Sequence, residues 1–257
     1  MAKFLPLKAQ NYDGFFMSED ELPIYEASTF DFFRCVEFND SLYNVLATDL
    51  FKNNLRMSNG RYSKLFPNQK ISYWSNSKKV ARKEIKHHGS GNNILAFWAY
   101  DDASSSFPFH KDDEPLVIVD GRKCGIQTLI DKIENEEDLT VIENLYMKSI
   151  LLYPIDAIVY DSKRDPEGEN YIFLERGFKK LAIRKISLRF SKKDGGHHNF
   201  ISCAGTCDYT PYLEAYGEYF APKCKRKMDK NYLNSEEYKK NTEQMKINFD
   251  LRWKQNL

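Results

Sequence analysis

The chain has 257 residues, of which 42% are apolar and 14% aromatic, and a formal net charge of +1. That length and composition suit one large globular domain or two small ones and exclude a disordered chain. Near-neutrality excludes a global polyelectrolyte mode of binding to nucleic acid or membrane. The charge is uneven, however. Residues 1–50 are acidic, and residues 178–257 carry more Lys and Arg than Asp and Glu. The basic run Lys223–Lys227 reads as a solvated face. No apolar stretch reaches the ~18–20 residues of a membrane span, and the first sixteen residues lack the uninterrupted apolar segment of a secretion signal. Five cysteines, an odd number spread along the chain, suit a reducing cytoplasm.

In chain order, the first thirty residues read as loop-rich, with a short helix near Asp20–Tyr25. DFFRCVEF (31–38) predicts a strand and SLYNVLATDLFKNNL (41–55) an amphipathic helix. A Ser-Asn-Gly turn leads to Arg61, and KISYWS (70–75) is a short strand. The helix after it starts at an N-cap, Asn76 or Ser77. Its apolar face is Val80, Ala81, Ile85 and His88, with Lys78, Lys79, Arg82, Lys83 and Lys86 opposite. Glu84 falls in the middle of the apolar face, where a carboxylate needs a reason to be. NILAFWAY (93–100) and PLVIVD (115–120) predict strands around a polar loop. Residues 124–153 predict two helices, and DAIVYDS (156–162) a strand ending in the turn SKRDPEGEN. Further strands run to about residue 190, and a helix is expected at 235–253. Strands and helices mix without a regular βαβ rhythm, which predicts an α+β fold with a mixed β-sheet core and flanking helices.

Phosphate-loop, dinucleotide-fingerprint, metalloprotease and nucleophile-elbow signatures are all absent. Cys203, Cys207 and Cys224, with His197 and His198 upstream, could ligate zinc, but the CAGTC spacing is looser than a zinc knuckle and ordinary thiols are the expectation. Arg61, Tyr73, Glu84 and Ser162 remain as a constellation. Each also has a structural reading: a turn arginine, a core aromatic, one half of a buried ion pair with Arg61, and a turn cap.

The order of pieces resembles the RES domain family, named for its Arg, Glu and Ser. NGRYS (59–63), ISYWSNSKKVARKE (71–84) and DAIVYDSKRDPEGENYIF (156–173) carry the likeness, and FFRC (32–35) is similar to the family's opening strand. The chain departs from the pattern in Ser63 after Tyr62, in a longer Arg-to-Tyr interval through LFPNQK, and in the YWS strand end. The resemblance implies an ADP-ribosyltransferase-like fold over residues 30–205, after a loop-rich segment at 1–29, with 206–257 as an extension packed on the same domain. It also implies a toxin that degrades NAD by hydrolysis or phosphorolysis of the nicotinamide–ribose bond, neutralised by an antitoxin protein. NAD is then substrate, with no cofactor or metal. Arg61, Tyr73, Glu84 and Ser162 become the active-site candidates, with Arg34 and Arg164 as further phosphate contacts. Other classes stay open: ADP-ribosyl transfer to a macromolecule, or a non-catalytic module that binds NAD or a partner. A nucleic-acid binder, the less expected case, should depend on Lys223–Lys227 and on salt.

Overall fold

The computed structural model describes residues 4–6, 21–25, 31–38, 47–87, 93–101, 116–190 and 199–205, with 234–236, 239–240 and 243 beyond them. Within them a two-stranded sheet pairs β1 (Phe4–Pro6) with β2 (Glu21–Pro23). The main sheet has nine strands: β3 (Asp31–Glu37), β4 (Arg56–Met57), β5 (Lys70–Ser75), β6 (Asn93–Asp101), β7 (Ile118–Asp120), β8 (Ala157–Asp161), β9 (Glu169–Leu174), β10 (Leu181–Phe190) and β11 (Asn199–Gly205). Their order is β11-β10-β6-β3-β5-β9-β8-β7, with β4 beside β5. All neighbours are antiparallel except β7 and β8. Among the described residues the sheet is accompanied by α1 (Ala47–Lys52), α2 (Lys78–His87), α3 (Ile126–Glu134), α4 (Val141–Ile150) and α5 (Glu175–Phe178). The fold is α+β with a mixed sheet, as expected.

Strand periodicity divides the interior in two. Trp74, Tyr171, Phe173, Ala157 and Val159 point to one side, where Phe51 and Phe178 stack with ring centroids 4.9 Å apart. Ile71, Ile172, Leu174, Ile158 and Tyr160 alternate with them and meet the buried faces of α3 and α4. With both faces covered, these strands read as continuous apolar runs, which is why the sequence exposes them clearly. Thr140 and Glu143 close a reciprocal capping box at the start of α4.

Two expectations are corrected. Asp20–Tyr25 is not helical where described: Glu21–Pro23 is a strand, Leu22 is fully buried, Ile24 bridges Val119, and the Tyr25 amide donates to the Ile118 carbonyl at 2.7 Å. Long-range pairing and burial override the local helix signal of an acidic first turn. No strand is expected beyond about residue 190, yet β11 pairs with β10. The segment 41–55 yields helix at Ala47–Lys52, and PLVIVD yields a strand at Ile118–Asp120. Residues 41–46, the loop 102–115, His197, His198, Cys207, Cys224 and Lys223–Lys227 lie outside the described residues, as does most of the 235–253 helix. Cys203 lies in β11. Among the described residues no helix is long and apolar enough to cross a membrane, and no group of three or more potential ligands could hold a metal.

Candidate functional site

The sheet is split at its centre. Strands β3 and β5 share a single pair, Phe33 opposite Ser75 at the end of β5, although β3 runs on to Glu37 and β5 begins at Lys70. A cavity of about 440 Å³ fills the gap, lined by most of β3, the last three residues of β5, the turn that begins at Gly60, and α2. Arg34 spans the split: its NH1 donates to the Tyr73 carbonyl at 2.6 Å, a main-chain acceptor on the open edge.

Arg61 and Glu84 reach this region by local causes. Gly60 takes a left-handed φ of +56°, which glycine adopts without a Cβ penalty, and the 3-10 turn it begins carries Arg61 to the cleft mouth. The Arg61 guanidinium lies 5.4 Å from the Tyr62 ring centroid. Helix α2 is capped by Ser77, whose Oγ accepts from the Val80 amide at 3.2 Å. Val80 and Ala81 are buried, and one turn later Glu84 faces the cleft beside Ile85.

Glu84 is held from behind. The Ser162 hydroxyl donates to its Oε1 at 2.7 Å and the Asn170 amide to the same oxygen at 2.8 Å. Asn170 is fixed in turn by the Ser75 hydroxyl, 2.8 Å from its Oδ1. Oε2 has no partner among the described residues. No ion pair joins Glu84 to Arg61, so the structural reading of Glu84 as half of a buried pair is not what the chain builds. Ser162 is not on the cleft wall. Its hydroxyl donates to Glu84 and accepts from the Arg164 amide at 3.1 Å, so it positions the carboxylate rather than facing a ligand. Arg164 is exposed, with NH2 2.5 Å from His87 Nε2, and does not line the cavity.

The turn after β8 holds this arrangement against α2. Asp165 pairs with Lys79 at 3.1 Å and Lys83 at 3.0 Å, and Gly168 sits so close that a Cβ there would meet Val80 Cγ2 at 2.6 Å. Lys83, then Lys79, holds the Asp165 carboxyl below its ordinary value. Folded Asp165 therefore binds fewer protons than unfolded Asp165. Its contribution to stability is present above the unfolded value of about 3.9 and is lost as pH falls through the lowered folded value. The midpoint of urea unfolding should fall over this acid range, and Asp165→Asn should flatten that fall. An identical acid profile in the variant would remove the latch from the account.

Across the cleft, sequence reasoning missed a second group. The Tyr62 hydroxyl donates to Glu134 Oε1 at 2.7 Å, and Tyr160 lines the same cavity. The Tyr62 and Tyr73 rings meet at 4.8 Å and 55°. Burial raises the pKa of all three tyrosines, so they remain neutral hydroxyls. The Tyr73 hydroxyl has no partner among the described residues. Burial also pushes the Cys35 thiol up to about 11, against the pull of Arg82, Arg189 and Arg34, so it is no thiolate nucleophile. Enclosure lowers the Arg34 guanidinium to about 10, which leaves it charged at neutral pH. Asn170 and Tyr160 could have been found: they stand in register with Ser162 in the motif YDSKRDPEGEN. Glu134, at the end of α3, leaves no such signal.

Fold and cleft together define a split-sheet α+β protein whose central cavity is lined by Glu84, with Oε2 unpartnered among the described residues, by Glu37 and Glu134, by two guanidinium groups and by a tyrosine wall. No family model, curated protein or solved structure matches the chain.

Proposed function

We propose that the cleft binds NAD and cleaves its nicotinamide–ribose bond, as the resemblance to RES domains implies, with hydrolysis or phosphorolysis as the outcome. The observation that carries this reading is Glu84: one oxygen fixed by two donors, the other open to a cavity that also holds cations. A pocket of about 440 Å³ falls within the ~300–1,000 Å³ of small-molecule sites. As the C–N bond breaks, its electron pair goes to the nicotinamide ring and discharges it, while positive charge develops on the ribose. An oriented carboxylate beside that carbon stabilises the charge without reorganising. Water or phosphate then bonds to the ribose carbon. The proton that water releases goes to solvent.

Arg61 and Arg34 suit the two phosphates, since a guanidinium forks to two oxygens. Neither has a carboxylate partner among the described residues to compete. The Tyr73 hydroxyl suits a ribose hydroxyl and its ring a flat base. The reading extends to a cytoplasmic toxin restrained by an antitoxin protein. ADP-ribosyl transfer to a macromolecule shares the first step and differs only in acceptor.

The test is nicotinamide release from NAD by the purified chain, with and without phosphate. Release is expected, and ribosyl phosphate products appearing only with phosphate identify phosphorolysis. Labelled ADP-ribose on added macromolecules would instead identify transfer. NAD binding with no release in any of these conditions would overturn the enzymatic reading in favour of a binding module.

A further inference from the structure

A second pocket lies on the other flank of α2. It has a volume of about 100 Å³ and is walled by Arg82 and Lys78 from the helix, Arg34 from β3, and Arg189 and Lys185 from β10, over the Phe33–Trp98 stack. No carboxylate is among its lining residues. From sequence alone Arg82 belongs to the solvated face of α2; in the fold it is half-buried against β3, β6 and β10.

Arg82 and Arg189 have neither an ion pair nor a hydrogen bond among the described residues. The Nε of Arg34 is buried with no hydrogen-bond partner. The three guanidinium groups line this pocket together with Cys35, and burial, then repulsion from Arg82, lowers the pKa of Arg189. The guanidinium groups of Arg34, Arg82 and Arg189, gathered in a partly desolvated pocket with no carboxylate among its described lining residues, are unfavourable as they stand. A bound anion removes both the repulsion and the unmet donors.

We propose that this pocket is a binding site for a phosphoryl-sized oxyanion, held by Arg34, Arg82 and Arg189 with Lys78 at the rim. Its volume admits one such group and no nucleoside. The same chemistry is offered by free phosphate and by the end of a phosphomonoester that projects outward. This site is separate from the Glu84 cleft and does not rest on NAD cleavage, although Arg34 borders both. An anion here withdraws part of the Arg34 field from the cleft, which gives the pocket a route to influence what binds there.

The experiment is calorimetric titration of the full chain, without NAD, at constant ionic strength in chloride. Inorganic phosphate is one titrant and AMP the other. Phosphate is expected to bind, and Arg82→Gln and Arg189→Gln should each weaken it about 10- to 100-fold, the scale of losing hydrogen bonds to a charged group. Arg61→Ala, in the other cleft, should leave this binding unchanged. AMP binding that shares the Arg82 and Arg189 dependence, with no binding of phosphate, would identify a phosphomonoester as the source. Should one glutamine variant fail to fold, the other still decides. Binding unaltered by the folded variant, binding lost in Arg61→Ala instead, or no binding by either titrant would overturn the proposal. None of these results bears on nicotinamide release, so the two readings fail separately.

Discussion

Replacing Glu84 by Gln is expected to reduce nicotinamide release at least ~100-fold, the scale of one preorganised electrostatic group at ~3–4 kcal/mol, while the fold and the affinity for NAD persist. The structure makes this substitution unusually clean. Both hydrogen bonds to Glu84, from Ser162 and Asn170, arrive at one oxygen. A Gln carbonyl can accept the same two, leaving the amide nitrogen in place of Oε2 and the backbone of α2 undisturbed. What is lost is the negative charge facing the cleft. Turnover and NAD affinity, measured on the same preparation, separate the two effects: a loss in kcat at constant Kd is the signature of charge stabilisation in the transition state. Unchanged turnover in a folded variant would remove Glu84 from the chemistry and return it to a structural role.

Much of this arrangement is legible in the sequence, for a physical reason. In Tyr160, Ser162, Arg164, Gly168 and Asn170 the informative residues fall at even spacing. Extended backbone sends alternate side chains to one side, and the turn between β8 and β9 keeps the parity. Tyr160 and Asn170 line the cleft, Ser162 reaches Glu84 beneath it, and Gly168 lies against α2. Glu84 was conspicuous because it broke a 3.6-residue apolar stripe. The less legible parts depend on contacts between distant segments. Glu134 joins the cleft only because α3 packs against the turn that carries Tyr62, 72 residues earlier. Arg82 looks solvated on a helical wheel, and only the placement of Arg189 and Lys185 on β10 turns its surroundings into a pocket. Asp20–Tyr25 has a helix-like local sequence, but its described part, Glu21–Tyr25, is claimed by strand pairing at the edge near β7.

The splitting of β3 from β5 was also hidden, since each reads as an ordinary strand. Yet it decides where a ligand can go. A continuous ladder would have placed main-chain hydrogen bonds where the cavity now is. The cost of opening the sheet is met in part by the Arg34 bond to Tyr73. That role explains why Arg34 is enclosed beside a candidate phosphate site and still charged.

Gly168→Ala is expected to damage stability and activity together, and Val80→Ala to restore part of both. The added Cβ would lie 2.6 Å from Val80 Cγ2 and 3.1 Å from both the carbonyl oxygen and the Cβ of Asp165. Val80 is buried and β-branched, with little freedom to turn away. The turn must therefore lift from α2, at a cost of about 1–3 kcal/mol, typical of overpacking. Lifting it carries Ser162 and Asn170 away from Glu84, because the Gly168 carbonyl accepts from the Ser162 amide at 2.8 Å. A displacement near 1 Å in a positioning group can cost up to ~100-fold in rate. In the double variant the Val80 methyl that meets the new Cβ is gone. Its loss of stability should therefore be smaller than the sum of the two single losses, with nicotinamide release recovering in parallel. Additive stability losses with no recovery of rate would show that the turn and α2 are not coupled through this contact. The Ser162 and Asn170 bonds to Glu84 would then hold without the contact at Gly168.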